Sequence, residues 1–558
     1  MSATGGRSSF SFRPRLLESL RDYNRGRFFR DLSAGFLVGI VALPLAIGFG
    51  IASGVTPAAG ITSAIIGGFL VSALGGSRVQ IGGPAGAFVG LLYAIVAQYG
   101  LPSLLICTFM SGVFLFLLGA ARLGSLIKFI PHPVTTGFTC GIAITIMATQ
   151  VRDFLGLRME TVPSEFLEKM SALARALPTL SGPTVLVGLA SLGVIALWPK
   201  RFARFVPGSI VALVGGTLLV VLAKLPVETI GTRFGAGAFP RGLPAPALLT
   251  LNWEHLLGLL TPALAITLMG AMESLLSAVV SDGMIDDRHD SNQELMGQGI
   301  ANMVVPFFGG IPVTGVIART ATNVRGGASS PLAGMIHALT ILLIVLVAAP
   351  LAQFVPLTVL GAVLLLVAFK MGEWDEFLLL RSQARSDAAV FLLTFGLTVV
   401  FDLTVAVKAG LILAGVLFIK RVADTTQVFA HDEATEQGHE PVPDLPGGVM
   451  VYRVFGALLF GAADKLDSVV RRSNTDTRVV ILHLAALTAL DGTALRGLES
   501  LHSKLRRHGR HLILSGPHTQ PYFLMEKAGF LDAVGPDNVA ADLPSAVARA
   551  KEILGGAG

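Results

Sequence analysis

The chain has 558 residues, 53% of them hydrophobic and 14% charged, and its mean hydropathy is +0.70. That balance excludes an ordinary soluble globular protein and defines an integral membrane protein. The net charge of +6 comes with no basic stripe interleaved with aromatics, which argues against nucleic acid as a partner.

Residues 1–31 carry Arg7, Arg13, Arg15, Arg21, Arg25, Arg27 and Arg30 with no short apolar core or small-residue cleavage site, so they are expected to be a cytoplasmic segment rather than a cleaved leader. From about 32 to about 421, apolar stretches of the roughly 20 residues needed to cross a bilayer recur. Fourteen membrane elements are expected, starting near 32, 57, 84, 101, 132, 182, 207, 257, 293, 313, 331, 356, 387 and 404. With the N-terminus inside, the cytoplasmic loops hold Arg78, Arg122, Lys128, Lys200, Arg201, Arg204, Arg288, Arg325, Arg381, Arg385, Lys420 and Arg421. The short opposite loops at 54–57, 98–101 and 350–355 hold no Lys or Arg, as the positive-inside rule requires. The longer loops 152–181 and 224–256 are external in this topology, and Lys408 fits it only by snorkelling. Cys107 and Cys140 lie inside apolar runs and are expected to be buried free thiols.

Two motifs recur at nearly the same offset. Gly82-Gly83-Pro84 resembles Gly309-Gly310-Ile311-Pro312 (309 − 82 = 227), and Phe129-Ile130-Pro131 resembles Phe354-Val355-Pro356 (354 − 129 = 225). Elements 3 and 10 are seven crossings apart, so the duplicated halves would be inverted, a transporter architecture. Proline removes an amide donor and glycine tolerates unusual dihedrals, so helix is expected to begin only at about Pro84 and about Pro312. Each is then a half-helix preceded by extended chain, with its start near the bilayer midplane. Each helix N-terminus acts as roughly +0.5 charge, so two that converge make an anion site.

Arg319 would lie about two turns beyond Pro312 and reach back toward that gap; an arginine at this depth marks function or a helix-to-helix clamp. Of the nearby polar residues, Thr314 is closest to the expected helix start. Glu273, in LMGAMESLLSAVV, is a candidate proton carrier, or else a clamp to Arg319 or a hydrogen-bonding partner of Gln298 or Asn302. His132 and His337 are expected to pack rather than relay protons. Asp282, Asp286, Asp287 and Asp290 lack the alternating pattern of a calcium loop and are expected to form a solvated turn.

From about 448 the composition becomes that of a small soluble α/β domain, after a linker over 422–447. VMVYRVFG, GALLFG, RVVILHLA and HLILSG are expected to be strands, and Thr493 to Arg507 and Pro544 to Ile553 helices. No G-x-x-x-x-G-K-[ST] occurs, so nothing suggests an ATP motor.

Over nearly its whole length the chain resembles the SulP/SLC26 anion transporters. The likeness rests on the fourteen elements, the half-helices 3 and 10, AMESLLSAVVSDGM, GGIPVTGVIARTATNVRGGASSP and the tail, which resembles a STAS domain at 448–558. Among bacterial members it is most similar to the DauA-type C4-dicarboxylate transporters, through GIVALPLAIGFGIASG, FTCGIAITI, ESLLSAVVSDGM and IARTATNVRGGASSP. The resemblance implies that the transport domain, 32–421, divides into a core of elements 1–4 and 8–11 and a gate of elements 5–7 and 12–14, with elevator-like movement and a homodimer.

It carries substrate binding over to Pro84, Ala85, Gly86, Ala87, Phe88, Thr314, Gly315, Val316 and Arg319. Leu43, Pro44, Leu45 and Ala46 would pass nearby, and Glu273 would couple transport to protons. Three positions depart from relatives. Leu45 stands where many sulfate and chloride members have Gln. Leu268 stands where the sodium-bicarbonate type has a second acid. Gly492 stands where phosphorylatable STAS proteins carry Ser.

The expected function is proton-coupled uptake of small carboxylates such as succinate and fumarate across the cell inner (plasma) membrane, with both termini cytoplasmic. The alternatives are a sulfate or bicarbonate transporter or exchanger, a passive anion channel, and a nontransporting anion sensor. No enzymatic activity, cofactor or metal is expected, and the partner of the STAS domain is open.

Overall fold

A computed structural model describes residues 12–125, 131–159, 162–163, 165–203, 206–235, 242, 244–249, 256–382, 384–401, 403–430, 445–459, 466 and 476–555. Phe129 and Ile130 of the repeated motif, part of the loop 224–256, most of the linker and the side chain of Lys408 lie outside the described residues. The chain divides into two compact units, Met1–Leu411 and Ile412–Gly558.

In the first unit the helices are α1 (Arg25–Ala52), α2 (Pro57–Leu74), α3 (Gly86–Ala120), α4 (His132–Leu155), α5 (Gly182–Leu197), α6 (Gly208–Leu222), α7 (Leu256–Ile285), α8 (Ser291–Val304), α9 (Ile317–Arg325), α10 (Leu332–Ala352), α11 (Leu357–Met371), α12 (Arg385–Val400) and α13 (Leu403–Thr425), the last running into the second unit. Among the described residues, seven spans are long and apolar enough to cross a membrane: α1 to α4, α7, α10, and α11 together with the short helix after it. An eighth is added if α5 and the helix before it, bent by 115°, count as one span. The third and fourth expected elements both lie within α3, where Gly100, at φ 80° and ψ 169° and so outside helical geometry, separates two helices ahead of Pro102.

Close approach through glycine holds this unit together, as suits helices that gain nothing from leaving lipid. A Cβ on Gly35 of α1 would come 2.4 Å from the Ala333 carbonyl of α10, and one on Gly112 of α3 would come 2.6 Å from the Met303 amide of α8. Two short strands, β1 (Gly82–Gly83) and β2 (Thr314–Gly315), pair antiparallel in this helical surrounding.

The second unit is a sheet with helices packed on it. Its strands are β3 (Gln427–Ala430), β4 (Val449–Leu458), β5 (Val479–His483), β6 (Leu487–Leu490), β7 (His511–Ser515) and β8 (Val539–Ala540), in the order β3-β4-β5-β7-β8 with β6 also on β4. Only β3 is antiparallel to its neighbour. The helices Gly492–Arg507 and Leu543–Gly555 fall where they were expected, and Asp491 caps the first through the Ala494 amide at 2.8 Å. Two expectations are corrected. GALLFG is not a separate strand, since its first residues, Gly456 to Leu458, complete β4. Residues 427–430, expected to lie in the linker, form the edge strand β3, where Phe429 stacks on Phe455 across the pair.

Candidate functional site

The interruptions after Gly82 and Gly309 both remain extended longer than the prolines alone predict. Helix begins not at Pro84 and Pro312 but as a tight turn at Gly86, which leads into the rest of α3, and as α9 at Ile317. Buried backbone that is not helical must find other acceptors. Here the two segments supply them to each other, in the register Gly82↔Gly315 and Gly83↔Thr314 with the Val316 amide on the Ile81 carbonyl at 3.0 Å.

Neither helix start has a side-chain cap. The amides of Gly86 and Ala87, and those of Ile317, Ala318 and Arg319, therefore have no acceptor inside their own helices. Arg319 stands in the first turn of α9 rather than two turns on, because the helix starts five residues after Pro312. It is 1% exposed. Its Nη2 donates to the Pro84 carbonyl at 3.2 Å, while Nε and Nη1 are buried with no partner. No carboxylate pairs with it among the described residues, so the clamp to Glu273 is not formed. A cation in a first turn also works against the helix dipole, which concentrates positive potential at this point.

Glu273 is half-buried and makes no hydrogen bond or ion pair among the described residues. It lies on the face of α7 that meets the broken segments: Gly270, three before it, accepts from the Thr314 hydroxyl at 2.9 Å, and Ser277, four after it, donates to the Thr320 hydroxyl at 3.2 Å. Gln298 and Asn302 do not serve Glu273. Both donate to the Val313 carbonyl, at 3.2 and 2.9 Å, and Asn302 also accepts from the Val313 amide at 2.8 Å. Ser63 clamps Ile311 in the same two-way manner.

The other expected site residues divide into two groups. Leu45, Ala85, Ala87 and Phe88 share one apolar cluster with Phe49, Ile146, Met269 and Met272, and Val316 packs against it. Gly86 touches that cluster through Phe49 and Ile146. Pro44 is buried inside α1, but Leu43 and Ala46 face a different cluster, with Ile61 and Ile341.

His337 is fully buried, and among the described residues neither ring nitrogen makes a well-formed hydrogen bond. His132 is exposed and comes within 4.0 Å of Glu376. With Glu373 these two bring ligand atoms within 4.8 Å of one another, on residues that are mostly exposed. The acid-rich turn is partnered rather than merely solvated: Asp282 binds His289, Asp287 binds Arg15 and Arg78, and Asp290 caps α8.

Sequence reasoning passed over two buried acids. Asp31 accepts from the Ser329 and Ser330 amides, at 2.6 and 3.2 Å, and from the Tyr23 hydroxyl at 2.9 Å, joining α1 to the chain entering α10. Glu294 accepts from the chain entering β1. Each sits in a mostly polar stretch near a predicted loop, so neither stands out against an apolar background.

A membrane-spanning helical unit with paired, uncapped helix starts, followed by an α/β unit, defines a transporter-like membrane protein with an appended α/β domain. Residues 28–394 match the sulfate permease family and residues 441–546 match the STAS domain. The chain belongs to the sulfate permease family, the SulP/SLC26 anion transporters. A Bacillus subtilis (strain 168) relative named "Putative sulfate transporter YvdB" is 40% identical, covering 92% of this chain and 96% of the relative. The transmembrane domain of a cyanobacterial bicarbonate transporter, BicA, matches with TM-score 0.63 and 29% identity over 70% of this chain and 98% of that one. The murine anion transporter Slc26a9, in its inward-facing state, has the same fold with TM-score 0.87 and 17% identity over 99% and 97% of the chains.

Proposed function

We propose that this protein is a secondary active anion carrier that takes up small carboxylates, C4-dicarboxylates such as succinate and fumarate among them, together with protons. One observation carries the reading: two uncapped helix starts beside a strand pair, with a buried guanidinium that, among the described residues, keeps two unpartnered nitrogens and no carboxylate counter-ion. Such a set of donors is complementary to a carboxylate and is not tied to one anion. The apolar surround of Leu45, Ala85, Ala87 and Phe88 suits a ligand with a hydrocarbon body better than a bare oxyanion. Glu273, on the facing helix and without a partner among the described residues, is the residue assigned to carry the proton. The fourteen-element inverted topology, core and gate domains, elevator-like movement, homodimer and plasma-membrane location form part of this reading. Pro131 and Pro356, offset by 356 − 131 = 225, cap α4 and α11 in matching extended conformations, which supports the repeat.

Sulfate or bicarbonate is the second reading, favoured by what the relatives are named for. The deciding measurement is uptake of radiolabelled succinate, fumarate, sulfate and bicarbonate into proteoliposomes under imposed proton or sodium gradients. Saturable succinate uptake driven by an inward proton gradient is expected. Sulfate or bicarbonate uptake alone would replace the substrate, and conductance too fast for alternating access would replace the carrier.

A further inference from the structure

Glu294 is a buried acid to which the carrier reading gives no task. It lies on α8, is 1% exposed, and is met by four donors. Its Oε2 accepts from the amides of Gly76 at 2.8 Å and Ser77 at 3.1 Å, and its Oε1 from Gln80 Nε2 at 2.8 Å and the Ser274 hydroxyl at 3.3 Å. Gln80 Nε2 also donates to the Ser274 oxygen at 2.7 Å. A carboxylate, which only accepts, suits this arrangement; a carboxamide would turn its own donors toward donors.

Gln80 ties this acid to the strand pair. It lies two residues before β1, and a Cβ placed on Gly315 of β2 would fall 1.9 Å from its Nε2. Gly315 is in turn the register partner of Gly82. Carboxylate, carboxamide and strand backbone are thus in continuous contact, and the same carboxylate holds the Gly76–Ser77 chain that leads into β1.

We propose that Glu294 is a positioning residue of the anion site: through Gln80 it sets the height and register of the β1–β2 pair, and with them the aim of the helix-start amides and of Arg319. The inference rests on the reading that this pair frames an anion site, and its test can be separated from that reading. Hydrogen exchange is measured on the full-length protein in lipid nanodiscs, alongside uptake kinetics, for Glu294→Gln and Gln80→Ala.

In Glu294→Gln, segments 76–84 and 313–320 should exchange on the order of tenfold faster, with α4 and the α/β unit at wild-type rates, since the opening is local. Uptake should show a raised KM with Vmax little changed. Gln80→Ala should accelerate 313–320 while leaving Gly76 and Ser77 protected, because their acceptor remains. It also carries the test if Glu294→Gln fails to fold. Faster exchange spread evenly over the first unit, unchanged exchange at 313–320 in both variants, or accelerated exchange with a wild-type KM would each overturn the proposal. If the wild-type protein moves no anion at all, the carrier reading falls while the exchange measurement still decides whether Glu294 positions the strands.

Discussion

Gly83 is packed against Arg319: a Cβ at Gly83 would lie 2.4 Å from Nη1 of the guanidinium, whose Nη2 holds the next carbonyl along, that of Pro84. Strand and cation therefore behave as one piece, and Gly83→Ala must push the guanidinium aside. We expect about a tenfold loss of anion affinity, from overpacking worth roughly 1–3 kcal/mol. Substrate-dependent thermal stabilisation and uptake KM measure it, and a variant with unaltered KM would show that the guanidinium is not at the site.

Arg319→Ala should weaken anion binding more strongly than it lowers stability. A buried cation without a counter-ion is costly to the fold, and removing it relieves that cost. The melting temperature in detergent is expected to hold or rise while uptake at low substrate falls at least about tenfold. A large drop in melting temperature with normal uptake would make Arg319 structural.

Glu273→Gln should leave counterflow intact and flatten the dependence of uptake on pH. The amide keeps the size and polarity of the acid but cannot exchange a proton. Unaltered pH dependence in this variant would move coupling to another group.

Asp31→Ala strands the amides of Ser329 and Ser330, so a cost of about 3 kcal/mol is expected from broken buried hydrogen bonds. Burial and the hydrogen bond to Asp31 push the Tyr23 phenol up to about 12. The raised value favours the folded state below the ordinary pKa of Tyr, and that contribution is lost as pH rises through the folded value. Spectroscopic titration of tyrosinate should show one tyrosine ionising earlier in Asp31→Ala than in the wild type, and coincident titrations would contradict the link.

In the second unit, burial, with Arg453 nearby, lowers the pKa of His483, whose ring nitrogen lies 3.0 Å from the Ser515 hydroxyl. The unfolded chain therefore takes up the proton first, and stability present above about 6.5 is lost as pH falls. Protection factors at β5 and β7, corrected for the intrinsic pH dependence of amide exchange, should fall between about pH 7.5 and 5.5 in the wild type and less so in His483→Gln. Equal pH responses in the two proteins would remove His483 as the cause.

Much of this protein was legible in its residues. Hydropathy marked the membrane unit, because the length of an apolar run reports directly on the medium it crosses. The Gly-Gly-Pro breaks and the lone Arg319 and Glu273 stood out because each violates an apolar background. What could not be read was where helix resumes after each break. Glycine and proline together weaken helix locally, but only the antiparallel pairing of Gly82–Gly83 with Thr314–Gly315, more than 200 residues apart, decides how long the chain stays extended. That pairing moved Arg319 into the first turn of α9 and turned Gln298 and Asn302 from Glu273 to Val313. Glu294 was invisible for the same reason, since its donors come from Gly76, Ser77, Gln80 and Ser274. Sequence alone determined the medium and the breaks, which depend on neighbours along the chain. Tertiary structure decided which buried polar group answers which, because burial obliges each to find a partner and the partner lies elsewhere in the chain.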